Sequence, residues 1–530
     1  MINPKPYGRE IDTTFQTAVM INRDGHTISL WQGTTTPFES KSRPDNLQLY
    51  DVAIAGGGIT GITTALQLQR SGKRCIVLEA ETLCFGTTGG TTAHLNTLLD
   101  TPYTTITRNF SKEDAKLVAA VTGRAIRLVK ENIDELDIDC GFEYQDAFLY
   151  AQDDKQKDEL EDIIKASRDA GLEIIEDDTV PFDVDFIKSI RVKGQAKFHP
   201  TRYVHALAEA FESLGGTIVQ QCRVTDVDDA DKVTLTTSRG EFQAHSLIYA
   251  THIPPGINLL HLRCAPYRSY AMAVKLSGDR YPDGLSYDMY DPYHYYRTQL
   301  VDDQPYLIVG GYDHKTGHEE NTTRSFAQLE AHVRGLFNVE KIAHQWSSQY
   351  YEPADGLPYI GSLPGHTGNI YVASGFGGNG ITYSHVAAMV LTDILNNVDT
   401  PYQKLFNPNR IKPVAGFTSF ISHNADVIKE FVGQWFSGDK IEGLADMARG
   451  EGKLVTLEGK KIALYKDEEG QLHAVNPTCT HMKCAVAWNS GERTWDCPCH
   501  GARYSIDGKV ITGPASRDLE LVSISKLVEG

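Results

Sequence analysis

The glycine-rich run Gly56-Gly-Gly-Ile-Thr-Gly61 constrains the fold of this 530-residue chain more than any other part of the sequence. It follows an apolar stretch at 51–55 and precedes an amphipathic stretch that continues to about Arg70. A buried strand, a glycine turn and a helix form the first part of a βαβ unit, which implies a parallel sheet. The sequence therefore predicts an α/β domain that begins near Tyr50.

Each glycine of this run has its own role in binding a dinucleotide. Gly56 permits the tight turn, Gly58 lets the backbone approach a pyrophosphate, and Gly61 lets helix and strand pack closely. The start of the helix offers N–H groups and a partial positive charge to the phosphates. A second strand at 74–79 ends in Glu79, which we expect to accept hydrogen bonds from ribose hydroxyls. The alternative is a glycine turn that binds no ligand.

The segment after Glu79 favours a flavin nucleotide, because small and hydroxyl-bearing residues suit a flavin that lies close to the backbone. The contacts expected there are Ala80, Thr87, Thr88, Thr91, Thr92, Ala93 and His94. A second glycine pattern, at 375–380, also follows a strand, and a nicotinamide site is one interpretation of it. Since no acidic strand end follows near 400–402, we prefer a helix start that closes over the flavin. Its expected contacts are Gly375, Gly377, Gly378, Asn379, Gly380, Ile381 and Thr382.

Four of the nine cysteines crowd into one short C-terminal stretch. Within it, the pairs Cys479 and His481, and Cys497 and His500, each offer one thiolate and one imidazole. One iron of a Rieske-type [2Fe–2S] cluster takes two thiolates and the other takes two imidazoles. Zinc is the alternative for these ligands, but their spacing differs from that of a zinc finger. The surrounding pattern predicts an all-β module, with short strands at 453–457, 461–465 and 472–475.

Residues 50–400 resemble the D-amino-acid-oxidase-like superfamily of FAD oxidoreductases, in the branch of glycine, sarcosine and γ-glutamylputrescine oxidases. The resemblance is carried by both glycine motifs with Glu79, the segment 86–94, His199-Pro200, Val224, Ala250-Thr251 and Asp355–Gly361. It implies an α/β FAD-binding Rossmann-like domain with an inserted α+β substrate domain. It places the flavin ring near 88–94 and 377–382, and it adds Val224, Ala250 and Thr251 to the expected FAD contacts.

Members of this superfamily oxidise C–N bonds of amines or amino acids, and the protein mainly positions the substrate. Because carboxylate substrates in the family often meet an arginine and a tyrosine, the resemblance makes Arg297, Tyr295 and His294 the candidate catalytic group. The alternative is that the tyrosine-rich stretch 287–296, with Arg297 directly after it, belongs to the sheet core or the surface. Some relatives tether the flavin through a histidine near the position of His94, and a non-covalent or packing role is the alternative.

The C-terminal stretch resembles Rieske domains, particularly those of respiratory cytochrome bc complexes. The resemblance implies a Cys484–Cys499 disulfide over the cluster, although cytosolic disulfides are rare and two free thiols are the alternative. It also implies that the loop 513–515 shields the cluster. Ala502 stands where the high-potential proteins have a serine, whereas Tyr504 keeps its place. Because hydrogen bonds to the cluster sulfurs raise the potential, we expect a value near the middle of roughly −150 to +300 mV.

Composition and charge narrow the class of protein and its partners. Hydrophobic residues make up 41% of the chain and charged residues 23%, which are ordinary values for a globular protein. The net charge of −18 argues against nucleic acids and anionic membranes as partners. Residues 1–20 lack a secretory signal, and no apolar run is long enough to span a membrane, so we expect a soluble cytoplasmic protein. The expected organisation is an N-terminal extension (1–49), the FAD domain (50–400), a linker (401–439) and the Rieske domain (440–530).

The presence of both domains in one chain predicts an enzyme that oxidises a small amine or amino acid at FAD. Its electrons would then pass through the cluster to an unidentified acceptor. The alternatives are an O₂-using oxidase with an accessory Rieske domain, a nicotinamide-driven reductase, and an electron carrier for a partner protein. The missing second nucleotide site argues against the reductase. No mononuclear iron facial triad is apparent in the sequence, so a Rieske oxygenase is not expected.

Overall fold

The computed structural model describes residues 23–366, 368–410, 439–440, 447–457 and 459–523. The helices before residue 411 are α1 (Leu30–Gly33), α2 (Ile59–Arg70), α3 (Thr87–Gly90), α4 (Tyr103–Asn109), α5 (Lys112–Leu136), α6 (Asp154–Ala170), α7 (Pro200–Ser213), α8 (Thr322–Leu336), α9 (Gly380–Leu395) and α10 (Pro401–Leu405), with a 3-10 turn at Leu259–Leu262. The strands of the same part are β1 (Leu49–Ala55), β2 (Cys75–Leu78), β3 (His94–Leu95), β4 (Glu143–Ala151), β5 (Ile174–Asp177), β6 (Lys188–Lys197), β7 (Thr217–Val219), β8 (Val224–Asp228), β9 (Val233–Thr237), β10 (Gly240–Tyr249), β11 (Cys264–Leu276), β12 (Leu285–Tyr287), β13 (Tyr295–Val301), β14 (Gln304–Lys315), β15 (Val339–Pro353), β16 (Tyr359–Ser362) and β17 (Ile370–Ser374). The C-terminal strands are β18 (Asp439–Lys440), β19 (Gly452–Leu457), β20 (Lys460–Lys466), β21 (Leu472–Val475), β22 (Ala487–Asn489), β23 (Thr494–Asp496), β24 (Arg503–Tyr504) and β25 (Val510–Thr512).

The first glycine motif opens a mostly parallel sheet with the strand order β16-β17-β10-β1-β2-β7. β1 pairs in parallel with both β10 and β2, and β9 extends the sheet from β10 in the antiparallel sense. All four residues of β2 are buried, as expected for a parallel strand that is covered on both faces. α2 packs against α7 and α9. The predicted α/β fold is therefore confirmed.

A second and mostly antiparallel sheet has the strand order β15-β11-β14-β13-β12-β4-β6-β3, with β5 on β6. α8 packs against β11 and β14, and its Phe326 contacts the ring of Tyr270. Side chains alternate between the two faces of a strand. Ser269 and Ala271, which flank Tyr270, therefore point away from α8. Those two residues line a deep cavity between the sheets. This unit corresponds to the predicted α+β substrate domain.

The C-terminal residues form two small sheets, β18-β19-β20-β21 and β22-β23-β24-β25. Their pairing is antiparallel except for β18 with β19. Strands predicted at 453–457, 461–465 and 472–475 correspond to β19, β20 and β21. The second sheet has a core that contains Trp495 and Tyr504. The predicted all-β module is therefore confirmed.

The segments that flank the FAD domain in the sequence also pack on it. Residues 30–32 of α1 are buried, so this part of the expected N-terminal extension belongs to the main core. In the expected linker, residues 401–410 fold back onto the same domain, where Arg410 pairs with Asp355 at 2.7 Å. Residues 411–438 of that linker lie outside the described residues. None of the described helices has the length and apolar character that crossing a membrane requires.

Candidate functional site

The first glycine motif forms a tight turn between β1 and α2. Gly56 has a φ of +112°, and a Cβ there would lie 2.5 Å from the carbonyl oxygen of Ala250. A Cβ on Gly58 would lie 2.7 Å from Thr88 Oγ1, which accepts a hydrogen bond from the backbone N–H of Ile59 (3.0 Å). The start of α2 therefore presents bare backbone to the adjoining cavity, as a phosphate group requires.

Glu79 follows β2 and is held by backbone donors on both carboxylate oxygens. Its Oε2 accepts a hydrogen bond from Gly57 N (2.6 Å), and its Oε1 accepts one from Glu81 N (2.8 Å). Burial raises the pKa of this carboxyl, and the two backbone donors oppose that rise. The side chain lines the cavity with acceptor capacity left for ribose hydroxyls.

A cavity joins the two glycine motifs and continues to the C-terminal domain. Residues from many separate stretches of the chain surround it, as expected for a long nucleotide cofactor. The predicted cofactor-binding residues that line it are Gly56, Gly58, Glu79, Ala80, Thr87, Thr88, Thr91, Thr92, His94, Val224, Ala250, Thr251, Gly377, Gly378, Asn379, Gly380 and Ile381.

Four other predicted contacts support the cavity wall without lining it. A Cβ on Gly61 would lie 1.9 Å from a backbone carbonyl oxygen, so this glycine lets α2 approach β1. Gly375 and Ala93 have positive φ values of +71° and 55°, and both form turns. Thr382 Oγ1 donates a hydrogen bond to the carbonyl oxygen of Asn96 (3.0 Å). These four residues support the cavity wall from behind and do not line it.

His94 lies in the cavity wall as a neutral imidazole. Its Nδ1 is 2.7 Å from Tyr287 Oη. Its Nε2 is buried and has no hydrogen-bond partner within the described part of the chain. Burial, with a smaller contribution from Arg297, holds the pKa of His94 well below its ordinary value. A covalent bond between this histidine and the flavin remains a prediction.

The predicted catalytic group is only partly brought together, because two of its three side chains do not line the cavity. Arg297 is fully buried and donates hydrogen bonds to Thr92 O (2.6 Å), to the Phe198 carbonyl oxygen and to the Gln299 side chain. Its hydrogen bonds therefore go to the protein, and it does not line the cavity where the expected substrate carboxylate would lie. Tyr295 lines the cavity, as predicted.

His294 precedes Tyr295 and therefore points away from the cavity, since neighbouring side chains alternate along an extended chain. Its Nδ1 lies 2.7 Å from Asp288 Oδ2, and its ring stacks on His332 with centroids 3.9 Å apart. The residues that sequence reasoning missed are Asp100, Tyr287, Tyr293, Asp313 and Tyr350, all in the cavity wall. Applying the same alternation to the tyrosine-rich stretch 287–296 would have selected Tyr293 and Tyr295 over His294.

The C-terminal loops place the four predicted metal ligands close together, with Cys479, Cys497 and His500 buried and His481 half-buried. Cys479 and Cys497 are buried free thiols. The Nδ1 atoms of His481 and His500 are both buried and have no hydrogen-bond partner in the described residues. Two buried thiols and two unpartnered ring nitrogens fit the donor set of a [2Fe–2S] cluster. Beside them, Cys484 and Cys499 form the expected disulfide.

Strand β15 joins the cavity to these loops. The side chain of Gln349 donates a hydrogen bond to Gly501 O (2.9 Å), and the hydroxyl of Tyr351 donates one to His500 O (3.1 Å). On the cavity side, Thr87 Oγ1 donates to the backbone oxygen of Gln349 (3.0 Å), and Gly377 N donates to that of Tyr351 (3.0 Å). The same two residues therefore contact both predicted cofactor sites.

A buried ion network also fixes the C-terminal domain to the rest of the chain. Its members are Arg23, Asp24, Arg268, Glu492, Asp496 and Arg503. Arg23 Nη1 lies 2.9 Å from Glu492 Oε2, and Arg503 Nη1 lies 3.1 Å from Asp24 Oδ2. Burial alone would raise the pKa of Glu492, but the three arginines lower it to about 2. Three carboxylates balance three guanidinium groups, so the network is electrically neutral.

Comparison with protein families assigns both parts of the chain. Residues 51–394 match the model of the FAD-dependent oxidoreductase family DAO. The chain belongs to this family. Residues 440–523 match the Rieske [2Fe-2S] domain. This DAO enzyme is therefore an FAD-dependent oxidoreductase that binds FAD in its DAO domain and a [2Fe–2S] cluster in its C-terminal domain.

Individual relatives agree with this assignment. YhfW of Bacillus subtilis (strain 168), named as a Rieske 2Fe-2S iron-sulfur protein, is 34% identical over 479 residues, which cover 89% of this chain and 93% of YhfW. The γ-glutamylputrescine oxidoreductase of Escherichia coli (strain K12) is 23% identical over 388 residues, or 70% of this DAO chain and 89% of the relative. The structure of glycine oxidase from Geobacillus kaustophilus superposes with a TM-score of 0.57 at 19% identity, covering 68% of this chain and 99% of the oxidase.

Tyr504 is expected to raise the reduction potential of the cluster. Its hydroxyl lies 3.2 Å from Sγ of the predicted ligand Cys479. Loss of one hydrogen bond to sulfur, worth about 1 kcal/mol, corresponds to about 40 mV in a one-electron couple. A redox titration followed by electron paramagnetic resonance should therefore show a potential lower by about this amount in Tyr504→Phe. Tyr465→Phe, in the same domain, is the control, and an unchanged potential in Tyr504→Phe would contradict the prediction.

Proposed function

We propose that this enzyme oxidises the C–N bond of an amine or amino acid at FAD and passes the electrons through its Rieske cluster to a separate acceptor. The observation that carries the proposal is that the Rieske domain forms part of the wall of the flavin cavity. The residues it contributes are Ile511, Thr512, Gly513, Ala515 and Ser516. A domain attached for stability alone would not need to reach into the cofactor cavity.

The two groups supply complementary chemistry when bound, because FAD accepts a hydride and the cluster carries single electrons. In the neutral amine, the C–H bond next to nitrogen breaks with both electrons, and the nitrogen loses a proton. A substrate that binds as an ammonium ion first gives up one further proton, because the nitrogen lone pair must be free. The product is an imine, which water hydrolyses. The protein holds the substrate over the large antiparallel sheet, whose residues line the cavity. Gln349 and Tyr351 fix the cluster loops against the same cavity.

The second glycine motif supports this proposal over a nicotinamide-driven reductase. Gly377, Gly378 and Gly380 line the same cavity as the first motif. The backbone N–H of Gly377 also donates a hydrogen bond to the carbonyl oxygen of Tyr351. Within the described residues, the motif therefore closes the flavin cavity and does not form a separate nucleotide site.

The proposal is tested by adding amines and amino acids to the oxidised protein without oxygen. We expect the flavin absorbance to bleach first and the paramagnetic signal of the reduced cluster to follow in the same sample. The control is tert-butylamine, which has no hydrogen on the carbon next to nitrogen and should cause neither change. A bleached flavin beside an oxidised cluster would refute internal transfer, and prompt bleaching by NADH with inert amines would establish the reductase.

A further inference from the structure

The part of the cavity over the large sheet is lined by carboxylates and phenols. We call this part the ring-end wall, because it lies at the end of the cavity where the flavin ring is expected. It consists of Asp100, Tyr293, Tyr295, Asp313 and Tyr350. Tyr293 Oη donates a hydrogen bond to Asp100 Oδ1 (3.1 Å), and Tyr350 Oη donates one to Asp313 Oδ2 (2.9 Å). The two acids come from a loop and from β14, and each accepts a hydrogen bond from its own tyrosine. A wall of this composition attracts positive charge.

One oxygen of the ring-end wall lacks a donor. Asp313 Oδ1 is buried and has no hydrogen-bond partner in the part of the chain that the structure describes. A buried carboxylate oxygen without a donor is unfavourable, so a cationic ligand that donates to it gains affinity. Burial raises the pKa of Asp313 to about 7, with a smaller contribution from Asp100 and against opposing contributions from Ser269 and Tyr350, and a cation bound there would lower it.

Among the described residues, the ring end also offers no arginine or lysine to bind a carboxylate. Among the described lining residues, the one arginine is Arg223, which pairs with Glu81 at 3.2 Å near the first glycine motif. No lysine lines the described cavity. Arg297, the residue expected to meet a substrate carboxylate, is occupied by backbone and amide oxygens. An amino-acid carboxylate would therefore face Asp100 and Asp313 with no cation to offset the repulsion.

We propose that the substrate of this enzyme is a protonated amine without a carboxylate near its nitrogen, bound as an ammonium ion by the ring-end wall. This inference rests on the proposed oxidation of a C–N bond at the flavin. Asp313 Oδ1 accepts a hydrogen bond from the ammonium group, and the phenol rings provide faces that attract cations. Alkylamines are protonated near neutral pH, as the lysine side chain is, so the ammonium form is the one presented to the site.

The test compares two ligands that bind without reacting. Neither tert-butylamine nor 2-aminoisobutyrate has a hydrogen on the carbon next to nitrogen, and they differ by one methyl group replaced with a carboxylate. The dissociation constant of each is measured from the change in flavin absorbance of the full-length, cofactor-loaded protein. We expect tert-butylamine to bind at least about tenfold more tightly. Equal or tighter binding of 2-aminoisobutyrate would overturn the inference.

A variant that removes the charge of Asp313 tests whether this residue is the one that binds the ammonium group. Asp313→Asn should weaken tert-butylamine binding by about tenfold or more, with FAD and cluster content checked by absorbance. Asp303→Asn is the matched control, because Asp303 is exposed in the turn before β14 and should leave the dissociation constant unchanged. Unchanged binding in Asp313→Asn would also overturn the inference. Because neither probe is oxidised, these results are independent of whether electrons reach the cluster.

Discussion

Gly61→Ala is expected to give a protein that is purified without FAD. The added Cβ would lie 1.9 Å from the carbonyl oxygen of Gly56, well inside any real contact distance. Because both partners belong to the backbone, no side-chain rotation relieves the overlap, and α2 must move away from β1. That movement displaces the N–H groups that face the phosphates. The measurement is the ratio of flavin to protein after purification, with circular dichroism to follow folding.

The control for this substitution is Gly335→Ala. Gly335 lies within α8, and a Cβ there would meet no atom within 4 Å. Alanine is also favoured over glycine inside a helix by about 1 kcal/mol, so this variant should keep its FAD and its stability. Stoichiometric FAD in Gly61→Ala would show that α2 does not need its close approach to β1.

Glu492→Gln is expected to destabilise the attachment of the Rieske domain by about 3 kcal/mol or more, because removal of one partner leaves buried charge uncompensated. Glu492 is buried against Arg23 at 2.9 Å, and it also accepts a hydrogen bond from Ser347 N (2.8 Å). Glutamine keeps the shape but leaves the network with one excess positive charge. The thermal midpoint of unfolding, followed by calorimetry and by loss of cluster absorbance, should fall by several degrees.

Two comparisons test whether the loss of stability in Glu492→Gln comes from its buried position rather than from the loss of any negative charge. Glu468→Gln breaks an exposed pair with Arg493 (3.3 Å) and should change stability by no more than about 0.5 kcal/mol. Because the pKa of Glu492 is about 2 when folded against an ordinary 4.5, its contribution is full above pH 4.5 and is lost as the pH falls toward 2. The stability difference between wild type and Glu492→Gln should therefore narrow in acid. A constant difference would contradict this account.

The cofactor sites could be predicted from sequence because each depends on short spacings. The glycine turn, Glu79 and the two Cys–His pairs are each defined within a few residues of the chain, and the structure places them as those spacings require. The fold class followed from the same local patterns, since a strand, glycine turn and helix specify a parallel unit.

The substrate side of the site could not be predicted in the same way, because it depends on long-range packing. Asp100 and Asp313 come together across more than half of the FAD domain, and neither belongs to a local motif. Arg297 is misleading in the sequence, since its neighbour Tyr295 faces the cavity while its own donors are taken by carbonyl groups. The contact of Arg23 with Glu492 joins residues 469 positions apart, which no local pattern reveals.

The shared strand β15 has a consequence for kinetics. Gln349 and Tyr351 bond at once to loops of both predicted cofactor sites, so under the proposed function the donor and the acceptor of each electron are held together in one chain. Passage between them is then a unimolecular event, with a rate constant that is indifferent to protein dilution and to the viscosity of the medium. Under the proposed function, diffusion would limit only the arrival of the amine and the departure of the final acceptor with its electron.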